Sequence, residues 1–486
     1  MSQTTLRRPF ILASIMAGMF MIAIEATIVS TAMPQIAGQL GDLHLYAWVF
    51  SAFLLTQTAM TVVFGKLADV YGRKPVLLVG IAIFLVGSVL CGFAWSMPSL
   101  ILFRLVQGVG AGAIQPVALT VVGDLYSVEE RGKIQGWLAS VWGVSSVLGP
   151  LAGGLIIAHL SWAWVFWINI PVGIASAYGF ITYLKETAVR ERQAVDTVGA
   201  GLFALSVAAV MIALTQAGTS SVDSAVIAVA IAGVSIGLFV LQERRVAAPM
   251  VNFSLWARRP IATANAATAL SGMAVIGLTT FLPMYVQSVL GQTPLVAGFA
   301  LTMMVLGWPV GATVCAKSFP RFGLRTPLLF GAALLPLGAL AFLALAPGGS
   351  AVVAGAGSLV MGLGMGFLNT AAIVIIQESV GWSDRGSATA SNIFSRNLGS
   401  TLGATVLGVV LNLSLAHPLV GPAVDFDEIR QLLDQPGGVG AAAARMALGH
   451  SLHLTFWAVF AVAVATLAAA TLVPRVAIKQ TAREAA

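Results

Sequence analysis

Apolar residues run through this chain in long blocks, neither alternating nor confined to one helical stripe. Blocks fall at about 10–38, 46–68, 75–95, 98–125, 132–158, 162–184, 197–216, 223–242, 260–289, 295–316, 326–346, 351–378, 386–415 and 449–474, separated by charged residues or Pro/Gly breaks. A helix that crosses a hydrocarbon core takes about 20 such residues. The pattern therefore predicts an all-α polytopic membrane protein with fourteen spans, and an even count puts both termini on one side. Arg7 and Arg8 precede the first block as charges precede a signal sequence. The run from Phe10 to about Met33 is longer than a signal core and no clear cleavage signal closes it, so it is expected to stay as the first span.

Composition agrees with the block pattern. Of 486 residues, 58% are hydrophobic and 9% charged, with mean hydropathy +0.94; a soluble domain carries about 25% charged residues. The net charge of +7 is a matter of distribution. Alternate loops hold Arg7/Arg8; Lys66, Arg73, Lys74; Arg131, Lys133; Lys185, Arg190, Arg192; Arg244, Arg245, Arg258, Arg259; Lys317, Arg321, Arg325; Arg385; and Arg475, Lys479, Arg483, which is 21 of the 25 basic residues. Arg104 and Arg396 lie inside blocks, and Arg430 and Arg445 in the loop 416–448. The positive-inside rule then makes both termini cytoplasmic, in an inner membrane. The basic surplus is a topology signal, so no nucleic-acid partner is expected. The loop 416–448, rich in Pro, Gly and Ala with Asp425, Asp427, Glu428 and Asp434, reads as a connector or a small lid.

The chain also repeats itself. Residues 107–113 read QGVGAGA, followed by Asp124 and Arg131; residues 361–367 read MGLGMGF, followed by Glu378 and Arg385, every pair 254 apart. Gly65-Lys66…Gly72-x-Lys74 recurs 251 residues later as Ala316-Lys317…Gly323-x-Arg325. Two six-span halves with two inserted helices explain this, dividing the chain at 1–195, 196–259 and 260–486. Parallel repeats of this kind place a substrate at the midplane between the halves.

Several residues stand out chemically. In the loop from Gly65 to Pro75 the glycines permit a tight turn and Pro75 suits a helix start. Asp69 there is an acceptor suited to basic groups or a helix N-terminus. Arg104 inside a block costs at least about 2.5–3.5 kcal/mol at mid-membrane and must face protein or water. Glu25 lies about 22 Å into the first helix and is the one carboxylate deep in a span. It is either a proton carrier, with a carboxyl that desolvation makes able to exchange protons, or a structural partner of a neighbouring group. Gly143, Gly149, Pro150, Gly153 and Gly154 favour close packing and a bend. Met21, Gln115, Met273, Thr280, Met284, Met365, Asn369 and Arg396 are candidate substrate-lining residues, since flexible methionines suit a pocket that accepts many shapes. Cys91 and Cys315 give neither a disulfide framework nor a metal site. His450 and His453, three apart, read as boundary residues. No phosphate-binding glycine loop or nucleophile–base set is present, so no cofactor, ATP drive or enzyme activity is expected.

The string Gly65-Lys-Leu-Ala-Asp-Val-Tyr-Gly-Arg-Lys-Pro75 resembles the signature loop of the major facilitator superfamily, and the resemblance implies a conformational latch at Gly65, Asp69, Gly72, Arg73 and Lys74. In the second copy Pro320 and Leu324 replace the Asp and Arg. Arg104 with QGVGAGA resembles the fourth-span motif of proton-coupled members. Gly143-x5-Gly149-Pro150-x-x-Gly153-Gly154 resembles the antiporter motif. The stretches 24–34 and 162–173 resemble the 14-span drug:proton antiporters, with Glu25 where that group often has Asp and Ala163 where it often has Arg. The resemblance implies the major facilitator fold and a monomeric, proton-coupled antiporter. It would export hydrophobic or amphipathic, often cationic, drugs, with Glu25 and Arg104 in coupling. A lipid or metabolite exporter on the same fold is the alternative, and a membrane sensor a more distant one.

Overall fold

The computed structural model describes residues 3–40, 45–185, 196–217, 222–246, 253–292, 294–346, 349–416 and 441–477. These residues form helices and no strand. In order they are α1 (Gln3–Leu40), α2 (Tyr46–Tyr71), α3 (Arg73–Gly92), α4 (Met97–Leu125), α5 (Val128–His159), α6 (Trp164–Trp167), α7 (Asn169–Tyr183), α8 (Thr197–Ala217), α9 (Val222–Glu243), α10 (Phe253–Trp256), α11 (Arg259–Ser288), α12 (Pro294–Phe322), α13 (Arg325–Leu343), α14 (Ala351–Glu378), a 3-10 turn (Trp382–Asp384), α15 (Arg385–Ala416) and α16 (Ala441–Thr471).

Among the described residues, twelve stretches are long and apolar enough to cross a bilayer. They take in every expected block except 132–158, which lies in the 32-residue helix α5, and 197–216, where Thr197–Val210 is a shorter apolar helix. The connector expected at 416–448 falls mostly outside the described residues. Val226, Val229 and Val234 on α9 and Val352 on α14 point outward, as lipid-facing side chains do when the solvent is hydrocarbon.

Local signals set the helix ends. Ser96 and Ser99 form a reciprocal cap at the start of α4, and Ser127 and Glu130 do so for α5. Gly72 at φ 96° breaks the chain between α2 and α3, and Gly323 at φ 67°, its repeat partner, lies between α12 and α13. The glycine-rich repeat has a packing cause. A Cβ on Gly110 of α4 would meet the Gly80 carbonyl oxygen of α3 at 2.6 Å; one on Gly364 of α14 would meet the Gly331 carbonyl of α13 at 2.8 Å. Gly80 and Gly331 are themselves 251 apart, so the two halves repeat the same backbone-to-backbone approach.

Two hydrophobic cores lie within residues 11–184, apart from Ile393, and another within residues 255–473. Helices α8 and α9 stand outside these, held against α2 and α15 by Phe203, Phe239 and Phe394, whose rings lie 5.4–5.5 Å apart. The first half meets the second through α5 against α12 and α2 against α15.

Candidate functional site

Three features stand out among the described residues of this apolar bundle. The first lies where α2, α4 and α5 of one half meet α14 and α15 of the other, at the end carrying the basic loops. Asp69, on the last turns of α2, accepts hydrogen bonds from the backbone N–H groups of Gly386 and Ser387 (2.9 and 2.7 Å) and from Ser387 Oγ (2.7 Å). These donors are the first free N–H groups of α15, so the carboxylate caps a helix of the opposite half and meets its positive dipole end. Gly65, one turn earlier, allows the approach: a Cβ there would overlap Ala390. Arg73 ties the loop together, donating to the Ala68 and Trp382 carbonyls (both 2.9 Å) and to Asp124 (3.2 Å), with its guanidinium 3.9 Å above the Trp382 ring.

Beside it the repeat produces a crossed exchange. Arg131 of α5 pairs with Glu378 of α14 at 2.8 Å, and its repeat partner Arg385 pairs with Asp124, the repeat partner of Glu378, also at 2.8 Å. Both arginines donate to the Gly123 carbonyl. Each half thus offers one arginine and one carboxylate to the other.

The second cluster is buried inside the first half. Glu25 of α1 is fully buried; Oε1 pairs with Arg104 Nη1 of α4 and Oε2 accepts from Asn169 Nδ2 of α7, each at 2.5 Å. Arg104 also donates to Gln107 Oε1 (2.7 Å) and the Val49 carbonyl (3.1 Å), and lies 4.3 Å over the Phe53 ring. Gln107 continues the chain to Ser88 Oγ at 2.8 Å. The carboxylate therefore has a counter-charge and a neutral donor, and the arginine is spread over four partners. Among the described residues Asn169 Oδ1 accepts no hydrogen bond.

The third is a cavity of about 370 Å³ between the halves, with α1, α4 and α5 on one side and α11, α12, α14 and α15 on the other. Its wall is mostly apolar and includes Met19, Met304, Met365, Trp142 and Trp308, with Gln115, Gln135, Asn369, Asn392 and Arg396 as its principal polar members. A largely apolar, preformed hollow with a few convergent polar groups is what a small-molecule site requires.

A profile of the Major Facilitator Superfamily matches residues 15–404. This chain belongs to that superfamily. It is 35% identical to Multidrug resistance protein 3 of Bacillus subtilis over 405 residues, covering 82% of this chain and 79% of the relative. It is 32% identical to Multidrug transporter protein MdtP of the same organism over 423 residues, 86% and 78% of the two chains. Among solved structures the fold matches the human organic anion transporter MFSD10 (TM-score 0.63, 15% identity, 95% of this chain and 100% of that one). It also matches the proton:xylose symporter XylE bound to 6-bromo-6-deoxy-D-glucose (TM-score 0.63, 12% identity, 98% and 97%). The major facilitator fold and a membrane transporter of small molecules follow for this chain.

Within this major facilitator protein the candidate residues divide. Glu25 and Arg104 are in direct contact, whereas the sequence had placed them only in separate spans. Of the loop residues, Gly65, Asp69 and Arg73 reach the other half, and Gly72 makes the turn. Lys74 donates to the Ile181 carbonyl of its own half at 2.7 Å. Gly149 packs on Thr27 of α1, and a Cβ on Gly143 would meet Val305 of α12 at 3.1 Å; Gly153 is buried in α5. A Cβ on Gly154 would meet nothing within 4 Å, and Pro150 lies within α5.

Gln115, Met365, Asn369 and Arg396 line the cavity; Met21, Met273, Thr280 and Met284 do not. Met21 is fully buried in the hydrophobic core of the first half. Met284 packs on the core of the second half, and Thr280 is exposed away from the cavity. Glu25 is also absent from the wall, although Met19 and Thr27 on the same helix are present. The expectation of often cationic substrates finds no support here: no carboxylate lines the cavity among the described residues, and its charged member is Arg396. Sequence reading missed the partners Asn169, Gln107 and Ser88, and the wall residues Trp142, Trp308, Gln135 and Asn392. Of these, Asn169 lay within the resembling stretch 162–173 and Gln107 within the fourth-span motif, so polar residues inside apolar blocks were the available signal.

Proposed function

We propose that this protein is a proton-coupled antiporter that exports hydrophobic and amphipathic compounds across the cytoplasmic membrane by alternating access. The observation that carries the reading is the cavity between two halves that are bonded to each other at one end by ion pairs and a helix cap, contacts that separate without unfolding either half. Glu25 supports the coupling: it is a buried carboxyl whose partners, Arg104 and Asn169, sit on two other helices of the same half. Losing or gaining a proton there changes the net charge of the cluster and hence the packing of α1 against α4 and α7. Relatives named as multidrug proteins support an export role for this chain.

In this reading the basic end is cytoplasmic, the chain crosses fourteen times as a monomer, and the units are 1–195, 196–259 and 260–486. A topology reporter fused near Ser220 then reads as external; a cytoplasmic reading there rules out α8 and α9 as a membrane hairpin. Flux in proteoliposomes is the deciding experiment. An imposed pH gradient should drive hydrophobic aromatic compounds uphill, and a purely downhill, gradient-insensitive flux rules the antiporter out. A lipid or metabolite exporter would move one compound class and leave the rest of a panel untouched.

A further inference from the structure

Arg396, on α15, is the charged residue of the cavity wall, and the described structure gives it no carboxylate, carbonyl or aromatic partner. A guanidinium withdrawn from water without a counter-charge is costly, and such groups in folded chains are met by an anion, by carbonyl oxygens or by a ring face. Within this same molecule the buried arginines follow that rule: Arg104 has Glu25, Arg131 has Glu378 and Arg73 has Asp124. Arg396 differs from them: it is only half-buried, and it lines the hollow, so its guanidinium meets whatever fills that space.

A second group on the same wall is also unanswered. Asn369 of α14 donates its amide to the Met365 carbonyl at 3.0 Å, but its Oδ1 is buried and accepts no hydrogen bond among the described residues. The cavity thus presents one cation without a counter-charge, and beside it an enclosed acceptor that a turn of the Asn369 amide would bring to the hollow. Around them stand Trp142, Trp308 and Met365, which suit a flat apolar body.

We propose that the cavity takes amphipathic anions: an aromatic or alicyclic body carrying a carboxylate or sulfonate that Arg396 holds, with a hydroxyl or amide N–H donating to Asn369. A planar guanidinium offers two parallel donors to such a group, in a setting where competition from water is low. Cations are disfavoured at the same place, because no carboxylate of the wall offsets Arg396. The proposal rests on the export reading for its physiological meaning, but binding itself requires neither proton coupling nor transport.

The test uses the full-length protein in nanodiscs and three probes with one body: 1-pyrenebutyrate, its methyl ester, and 4-(1-pyrenyl)butylamine, each corrected for partition into empty discs. The carboxylate should bind at least about tenfold more tightly than the ester, and the amine more weakly than either. In Arg396→Gln the carboxylate and ester should bind equally. Arg396→Lys, which keeps the charge but loses the fork, should retain a reduced preference, and it serves as the reading if the Gln variant does not fold. Asn369→Leu should lower affinity for a hydroxylated pyrenebutyrate while leaving the parent acid within about twofold. An amine preference in the wild type, or a carboxylate preference that persists in Arg396→Gln, overturns the proposal. Gradient-driven export of the ester without carboxylate preference would leave the transport reading standing and sink this one. Carboxylate binding with no gradient-driven flux of any probe would do the reverse.

Discussion

Each half of this transporter places an arginine within a membrane span, and the two are met in different ways. Arg104, in the first half, is held by Glu25, Gln107, the Val49 carbonyl and the Phe53 ring. Arg396, in the second, faces a cavity without such a set. The two halves repeat their backbone packing, down to the glycine contacts Gly80–Gly110 and Gly331–Gly364, but the arginines do not correspond: the position 254 residues after Arg104 is Ser358, and Arg396 lies on α15. Duplicated architecture has therefore been given unequal chemistry. One half encloses a carboxylate that nothing in the cavity touches, and the other supplies a charge to the cavity itself. If Glu25 carries the proton and the cavity the substrate, as proposed above, the two sites are separate, and coupling between them has to pass through helix movement and not through competition for one group.

The largest effect should come from breaking the enclosed pair. Glu25→Gln leaves Arg104 buried without its counter-charge, and removing one partner of a buried pair costs about 3–5 kcal/mol. Thermal unfolding should drop clearly in the single variant and recover in part in Glu25→Gln/Arg104→Gln, where both charges are gone. Uphill export should be lost in both. Transport that survives in the double variant would remove Glu25 from coupling and leave the pair a structural one. Glu25→Asp should keep partial activity, because the shorter carboxylate still reaches toward Arg104.

Next in size is the contact that the halves do not share. Asp69 caps α15, whereas the second copy of the loop carries Pro320 at that place, and Pro320 lies inside α12. Asp69→Asn keeps the volume and removes the charge; hydrogen bonds to charged groups are worth about 1.5–3 kcal/mol. Loss of that amount shifts a two-state balance by roughly ten- to a hundredfold away from the form closed at the basic end. A cysteine placed at Leu119, beside Gln377 of the other half, should label faster from the basic side in that background. Unchanged labelling with wild-type flux would reduce the loop to a turn.

A smaller effect should appear where the halves are alike. Arg131–Glu378 is about 6% and 4% exposed, and Arg385–Asp124 about 16% and 15%. Coupling energies between contacting residues span about 0.5–3 kcal/mol, and the drier pair should fall higher in that range. Double-mutant cycles on thermal stability measure both; equal couplings would mean that burial does not distinguish them.

The sequence revealed the block pattern, the repeat and the loop because each depends on spacing along one chain. The offsets of 254 and 251 even carried the crossed pairs in latent form: Asp124, Arg131, Glu378 and Arg385 were all picked out, though not who would meet whom. That step depends on the two halves facing each other, which no local pattern encodes. The cavity wall was less legible for a related reason. Met21 and Met19 are two residues apart on one helix and both belong to the core of their half, yet only Met19 also lines the cavity. A helix buried on nearly every side gives no polar face from which to choose. Gln115, Asn369 and Arg396 were easier, since a polar side chain inside an apolar block has few places to go.

The smallest effect concerns Lys74, which the signature string groups with Asp69 and Arg73. Its ammonium donates to the Ile181 carbonyl near the end of α7, in the same half. Arg325, the matching residue of the second half, donates at 2.8 Å to the Thr471 carbonyl at the end of α16. Both contacts are exposed, and both place a cation on the C-terminal end of the last helix of their own half, where the dipole favours it by about 0.3–1 kcal/mol. Both of these contacts lie within one half and serve its packing. Lys74→Ala and Arg325→Ala should therefore lower thermal stability slightly and alter uphill flux by less than about twofold. Arg73→Ala, in contrast, strips Asp124 and Trp382 of a shared partner and should approach the loss seen in Asp69→Asn. If Lys74→Ala proved as damaging as Asp69→Asn, with Arg325→Ala still silent, then Lys74 would belong to the contact between the halves. The likeness of the two lysine and arginine anchors would then be one of geometry alone.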